Sequence, residues 1–218
     1  MPVARPAKGP EAVHGLYVLT DPDLVPDAEL AARVRQAIIG GASAVQYRDK
    51  RASHEGHLQR ARALREVTRE LGALLVINDD PGLALEVDAD GVHLGRDDPD
   101  IEQARARLGS RIIGVSCYND LSLALDAQRR GADYVAFGSF HPSPTKPGAV
   151  TATPELLRRA RRRLKVPMVA IGGITPENGA ALIAAGADAL AVVSAVFAAG
   201  DPRRAAQRFK AVIQASSR

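Results

Sequence analysis

Eight short apolar runs recur along this chain, most of them followed by a stretch with helical spacing, and that alternation constrains the fold more than any other feature. The runs are Gly15–Thr20, Ala44–Arg48, Leu74–Asn78, Gly91–Leu94, Ile112–Ser116, Tyr134–Gly138, Met168–Gly172 and Ala189–Val193. Short, nearly continuous apolar runs read as parallel strands buried on both faces. Between them lie helical patterns such as Asp27–Ile39, Glu55–Leu71, Pro154–Leu164 and Pro176–Ala185. Eight strands joined by crossover helices predict an α/β fold, a closed (β/α)8 TIM barrel forming a single domain over residues 15–218. An open doubly wound sheet fits less well, because Thr20-Asp21-Pro22 stands where that fold carries a glycine-rich turn.

A weak internal repeat supports the strand count. Gly40-Gly41-Ala42-Ser43, Asp88-Ala89-Asp90-Gly91, Gly131-Ala132-Asp133 and Gly186-Ala187-Asp188 each introduce a strand. Glycine ends a helix in the left-handed region, and a short polar residue then turns the chain. Thr153-Pro154-Glu155 and Thr175-Pro176-Glu177 each place a threonine cap before a first-turn proline. Residues 1–14 carry three prolines and no periodicity, which predicts a flexible N-terminal extension.

Composition narrows the function classes. The 46% hydrophobic and 25% charged content is that of an ordinary globular chain, and the net charge of +4 suits anionic small molecules. Arg158, Arg159, Arg161, Arg162 and Arg163 cover several faces of one expected helix with no aromatic platform beside them, so they read as a solvated face and no nucleic-acid partner is expected. No apolar run is long enough for a bilayer span, so no membrane association is expected. A single cysteine, Cys117, excludes an intrachain disulfide and fits a reducing, cytoplasmic setting. Homo-oligomer formation is left open.

The chemistry should lie at the C-terminal ends of the strands. There the run Val76-Ile77-Asn78-Asp79-Asp80 ends in carboxylates, and Gly91-Val92-His93-Leu94-Gly95 leads into Asp97 and Asp98. Asp79 and Asp98 are one strand–helix–strand unit apart and can converge on a hard cation such as Mg²⁺, which takes one or two carboxylates plus substrate phosphates. Arg48 and Lys50 alternate at the top of the second strand with Gln46 below them, which predicts two cations on one side. Ser143-Pro144-Thr145-Lys146-Pro147-Gly148 has the length of a lid, with a lysine between hydroxyls suited to a diphosphate. Gly172-Gly173 and Val193-Ser194 end the last two strands, where barrels commonly bind phosphate through main-chain N–H groups. His93 reads as a packed or hydrogen-bonded core residue and Cys117 as an inert small one. No nucleophile is evident.

Taken together, Gln46-Tyr47-Arg48-Asp49-Lys50, Ile77-Asn78-Asp79-Asp80, Asp90-Gly91-Val92-His93-Leu94-Gly95, Gly114-Val115-Ser116, Thr145-Lys146 and Ile171-Gly172-Gly173-Ile174 resemble the thiamine-phosphate synthases over nearly the whole chain after residue 14. The resemblance implies a Mg²⁺-dependent transferase that couples hydroxymethylpyrimidine diphosphate to a thiazole phosphate and releases pyrophosphate. It implies that Asp79 and Asp98 hold Mg²⁺, and that Arg48, Lys50, Asn78 and Lys146 grip the diphosphate. Arg48 and Lys146 would stabilise the leaving pyrophosphate, while Gln46 and Ser116 orient the pyrimidine end. Gly173, Val193 and Ser194 would receive the thiazole phosphate, with Ser143 and Thr145 beside it; Ser143 also keeps a hydroxyl expected at the diphosphate. The chain departs from the family after strand six, where Gly138-Ser139-Phe140-His141-Pro142 replaces a Gly-Pro-aliphatic sequence.

Three rivals compete. A thiazole tautomerase paralogue would carry a histidine two residues after the strand-five serine, where this chain has Tyr118. A non-catalytic phosphate-sensing barrel would not need two converging acids. An isomerase or lyase sharing the late phosphate loops would want a general acid and base pair where the cation ligands stand.

Overall fold

The computed structural model describes residues 9–96, 98, 100–142 and 150–216. Among them eight parallel strands close in chain order into a barrel: β1 (Gly15–Leu19), β2 (Ala42–Tyr47), β3 (Leu74–Asn78), β4 (Gly91–Leu94), β5 (Ile112–Tyr118), β6 (Tyr134–Gly138), β7 (Met168–Ile171) and β8 (Ala189–Val192). The helices that alternate with them are α1 (Leu30–Gly40), α2 (His54–Leu71), α3 (Pro81–Glu86), α4 (Ile101–Leu108), α5 (Leu121–Arg129), α6 (Pro154–Arg161), α7 (Pro176–Ala184), α8 (Ser194–Phe197) and α9 (Pro202–Ser216). The (β/α)8 TIM barrel expected from the sequence is the observed fold.

Strand alternation sorts the apolar residues into two cores. Leu16, Val18, Val45, Leu75, Ile77, Val92, Ile113 and Val135 pack outward among the helices. Tyr17, Leu19, Ala44, Leu74, Val76, Ile112, Tyr134, Val169 and Ala191 form a separate interior core. Successive residues point to opposite faces, so each strand is apolar throughout yet serves both cores. Val13 is 1% exposed and packs in the interior core, so the end of the expected N-terminal extension nearest β1 is part of the barrel.

The repeats before the even strands prove to be structural. Asp90, Asp133 and Asp188 each accept a backbone N–H from the start of the preceding strand: Leu75 at 2.7 Å, Ile113 at 2.8 Å and Met168 at 2.7 Å. Each carboxylate also pairs with an arginine of the helix that leads into that preceding strand, namely Arg65 of α2, Arg105 of α4 and Arg161 of α6. Ser43, at the equivalent place in the first repeat, donates instead to the Leu16 carbonyl at 3.1 Å. Charge-assisted bonds of this kind set the strand register at the end of the barrel away from the site.

Element ends shift in one instructive way. Four strands expected to end at Thr20, Arg48, Gly172 and Val193 end one residue earlier. At the first two the reason is visible: the Thr20 N–H still donates to the Gln46 carbonyl at 3.0 Å, but the Arg48 N–H and carbonyl then turn to Thr20 Oγ1, at 2.9 and 3.1 Å, in place of a backbone partner. β5 runs two residues longer, to Tyr118, with an irregularity against β6 between Ser116 and Tyr118. The helix expected from Asp27 begins as a 3-10 turn, Asp27–Glu29, and becomes α-helical at Leu30. α6 stops at Arg161, three residues short of the expected end. Its arginines and those just beyond are exposed, while Leu156, Leu157 and Ala160 face the core.

Candidate active site

A cavity of about 800 Å³ opens at the C-terminal ends of the strands. Of the residues singled out from sequence, Gln46, Arg48, Asn78, Ser116, Gly173, Val193 and Ser194 line it. Ser143, Thr145 and Lys146 lie outside the described residues. Lys50, Asp79 and Asp98 are not among the lining residues; β2 ends at Tyr47, so the alternation that would align Lys50 with Arg48 is broken, and the Lys50 Nζ stands 3.7 Å from Asp79 Oδ2.

The acidic cluster divides between structure and function. Asp80 caps α3, its Oδ1 accepting from the Leu83 N–H at 3.0 Å, so this carboxylate is spent on the fold. Asp79 adopts φ 65°, a left-handed conformation that aspartate tolerates better than most residues and that lifts its side chain out of the strand direction. Asp98 Oδ2 accepts from the Gly95 N–H at 2.5 Å, and its carboxylate lies within hydrogen-bonding reach of Asp79. Burial and then the facing Asp98 push the Asp79 pKa up to about 6, with Lys50 countering them in part. Two acids held against their mutual repulsion are the donor set that a hard divalent cation fits. Among the described residues no group of three or more His, Cys, Asp or Glu forms a metal cage.

The opposite wall is built from backbone. Gly172 (φ 105°) and Gly173 (φ 58°) follow β7, in conformations an L side chain rarely adopts. A Cβ on Gly173 would stand 2.5 Å from the Pro142 carbonyl and 2.8 Å from His141 Cβ. The segment after β6 is stitched to this turn, with the Phe140 N–H donating to the Ile171 carbonyl at 3.2 Å and the His141 N–H to the Gly172 carbonyl at 3.0 Å. Ser139 Oγ donates back to the His141 carbonyl at 2.8 Å. Here the divergent Ser139 and His141 adopt a hydrogen-bonded turn against β7. Val193 and Ser194 open α8 beside it.

Several cavity residues escaped the sequence reading. Tyr17 and Tyr134 point inward from β1 and β6, and Tyr118 closes β5 with the Arg96 guanidinium 4.7 Å above its ring centroid. The available signal was a tyrosine at an inward-facing position of an otherwise aliphatic strand. His93 is buried and hydrogen-bonded as expected, but it also lines the cavity, with Nε2 2.9 Å from Ser116 Oγ. That spacing matches a nucleophile and its base, yet the other ring nitrogen meets the Tyr134 hydroxyl at 2.9 Å, where a catalytic triad has a carboxylate. Cys117 is fully buried, and burial pushes its thiol up to about 12, so it is no nucleophile either.

The chain matches the family model for thiamine monophosphate synthase over residues 16–196. It is 52% identical to the thiamine-phosphate synthase of Thioalkalivibrio sulfidiphilus over 206 residues, 94% of this chain and 97% of that one. It is 54% identical to the thiamine-phosphate synthase of Thiobacillus denitrificans over 194 residues, 88% of this chain and 91% of that one. Its fold superposes on a solved thiamine phosphate pyrophosphorylase from Pyrococcus furiosus with a TM-score of 0.88 and 38% identity, covering 95% of this chain and 99% of the other. Identity at this level over nearly full length, on the same barrel, shows that the chain belongs to the thiamine monophosphate synthase family.

Proposed function

We propose that the chain couples 4-amino-2-methyl-5-hydroxymethylpyrimidine diphosphate to thiazole phosphate, giving thiamine phosphate and pyrophosphate. The observation that carries this reading is a strand-end cavity, in a chain of this family, with Arg48 and Asn78 beside the paired Asp79 and Asp98 on one side and the Gly172-Gly173 turn on the other. Two anionic substrates need two anion sites, and only one of them needs charge that responds to a leaving group.

The chain's own residues act by binding and orienting. Gln46 presents its carboxamide to the pyrimidine edge, and Arg48, Asn78 and Lys50 hold the diphosphate, joined by Lys146 from the loop after β6. Asp79 and Asp98 would hold Mg²⁺, which when bound supplies positive charge to the diphosphate oxygens. The methylene C–O bond breaks with its electron pair leaving on pyrophosphate, and the amino group of the pyrimidine ring delocalises the resulting cation. The thiazole nitrogen then forms the new C–N bond with its own lone pair. No proton moves and no protein nucleophile is required, in keeping with a cavity whose serine-paired histidine spends its other ring nitrogen on the Tyr134 hydroxyl. The turn at Gly172-Gly173 and the start of α8 fix the thiazole phosphate so that this nitrogen faces the methylene carbon.

Both substrates are small molecules. Among the described residues no helix is long and apolar enough to cross a membrane, and the proposed setting is the cytoplasm. The test is a coupling assay with both substrates and Mg²⁺ that quantifies thiamine phosphate and pyrophosphate. Equal amounts of both products, dependent on Mg²⁺, are expected. Folded protein that binds thiazole phosphate but forms no product would overturn the reading.

A further inference from the structure

Five side chains from five strands form an unbroken hydrogen-bond chain across the barrel. Gln46 Nε2 donates to the Tyr17 hydroxyl at 3.0 Å, which lies 3.0 Å from the Tyr134 hydroxyl. Tyr134 reaches His93 Nδ1 at 2.9 Å, and His93 Nε2 reaches Ser116 Oγ at 2.9 Å. Gln46, Tyr17, Tyr134 and His93 are all buried. The His93 and Tyr134 rings stack with centroids 5.5 Å apart. Gly114 on β5 is what admits Tyr134, because a Cβ there would overlap the phenol ring.

The proton count gives this chain a direction. Burial raises the Tyr17 hydroxyl to about 12 and holds the Tyr134 hydroxyl well above its ordinary value, so each phenol keeps one hydrogen to donate. An amide NH₂ only donates, so Tyr17 must accept from Gln46 and pass its own hydrogen to Tyr134. Tyr134 then donates to His93 Nδ1, which leaves the imidazole proton on Nε2, pointing at Ser116 Oγ. Ser116 becomes the acceptor within the chain, and its own hydrogen is left for a bound ligand. The reverse polarity would bury a Tyr17 hydrogen against an NH₂ group, leaving it without an acceptor.

We propose that Tyr17, Tyr134 and His93 are positioning residues that transmit the orientation of the Gln46 carboxamide to the Ser116 hydroxyl. The inference rests on the proposed pyrimidine diphosphate site. A Gln46 oxygen that accepts from the pyrimidine amino group turns its NH₂ toward Tyr17, and Ser116 is thereby set as a donor to an acceptor atom of the same substrate. An isostere that offers Gln46 an acceptor in place of the amino group would turn the amide over and leave Ser116 with the wrong polarity. Discrimination then arises at both ends of the cavity from one recognition event.

The experiment is ¹⁵N NMR of histidine-labelled protein without substrates, which distinguishes Nδ1–H, Nε2–H and doubly protonated imidazole; the His93→Gln variant assigns the signal. The Nε2–H tautomer is expected in the native chain. Gln46→Glu at pH 8 places a carboxylate, which only accepts, at the head of the chain and should switch His93 to Nδ1–H. An Nδ1–H or doubly protonated His93 in the native chain, or one unchanged in Gln46→Glu, overturns the proposal. Tyr17→Phe should mix the tautomers and lower kcat about tenfold with KM for thiazole phosphate unchanged, since it removes one ordered hydrogen bond and no thiazole contact. Were Tyr17→Phe not to fold, the Gln46→Glu signal alone decides. Because the tautomer is read without turnover, a failed coupling assay beside the expected switch would reject the proposed reaction and leave the hydrogen-bond chain standing.

Discussion

In the proposed reaction the two sides of the cavity mouth would bind anions by different physics. From β2 to β4 the work falls to side chains: Arg48 and Asn78 line the cavity, and beside them Lys50 stands 3.7 Å from Asp79, which faces Asp98. From β7 to β8 it falls to the backbone, with two glycines at positive φ and the first residues of α8. A phosphate that stays on its substrate needs a fixed cradle, and main-chain dipoles supply one with no side-chain entropy to lose. A diphosphate that departs gathers negative charge as its bond breaks, so its site needs full charges and a counter-ion. The charged sector should therefore govern turnover and the backbone sector affinity.

The sharpest way to break that division is to remove one acid. Asp79→Asn keeps the left-handed backbone, which asparagine tolerates, and deletes the charge. Steady-state assays at saturating Mg²⁺ should show kcat lowered roughly 10³-fold, with thiazole-phosphate affinity by calorimetry within about threefold of the native value. Loss of both together would show that the two sectors are one site. Lys146→Ala should follow, with a roughly 10²-fold loss in kcat/KM for the pyrimidine diphosphate and little change for thiazole phosphate. Gly173→Ala tests the other side. Its Cβ would press on the Pro142 carbonyl and the backbone would pay left-handed strain, so KM for thiazole phosphate should rise about tenfold with kcat nearly intact. Because the residue it strikes belongs to the segment leading toward Lys146, an equal rise in KM for the pyrimidine diphosphate would reveal mechanical coupling between the sectors.

What the sequence disclosed follows the same line. Strand count, chain order and strand-end residues were legible because they depend on local periodicity and on where a polar residue interrupts an apolar run. The placement of Gln46, Arg48, Asn78, Ser116 and Gly173 on one cavity came directly from that reading. Lys50 does not align with Arg48 because the alternation was carried past the end of β2, where Arg48 bonds the Thr20 hydroxyl, and Lys50 reaches Asp79 from the loop beyond. The aspartates before β4, β6 and β8 were read as turn formers, since their arginine partners lie 25 to 28 residues away. The Tyr17–Tyr134–His93 chain was invisible for the same reason: it joins residues separated by up to 117 positions, and only barrel closure brings β1 and β6 face to face across the interior.

Ser194 offers the finest test of the division. It lines the cavity as the first residue of α8, so both its N–H and its hydroxyl are available to a phosphate. If the backbone carries this sector, the hydroxyl is an accessory, and Ser194→Ala should raise KM for thiazole phosphate only about threefold, the worth of one partly solvated hydrogen bond. Steady-state kinetics at saturating pyrimidine diphosphate reads that value directly. A loss of a hundredfold would mean that the Ser194 side chain, not the main chain, is the principal phosphate donor, and the contrast between the two walls would reduce to a difference in charge alone.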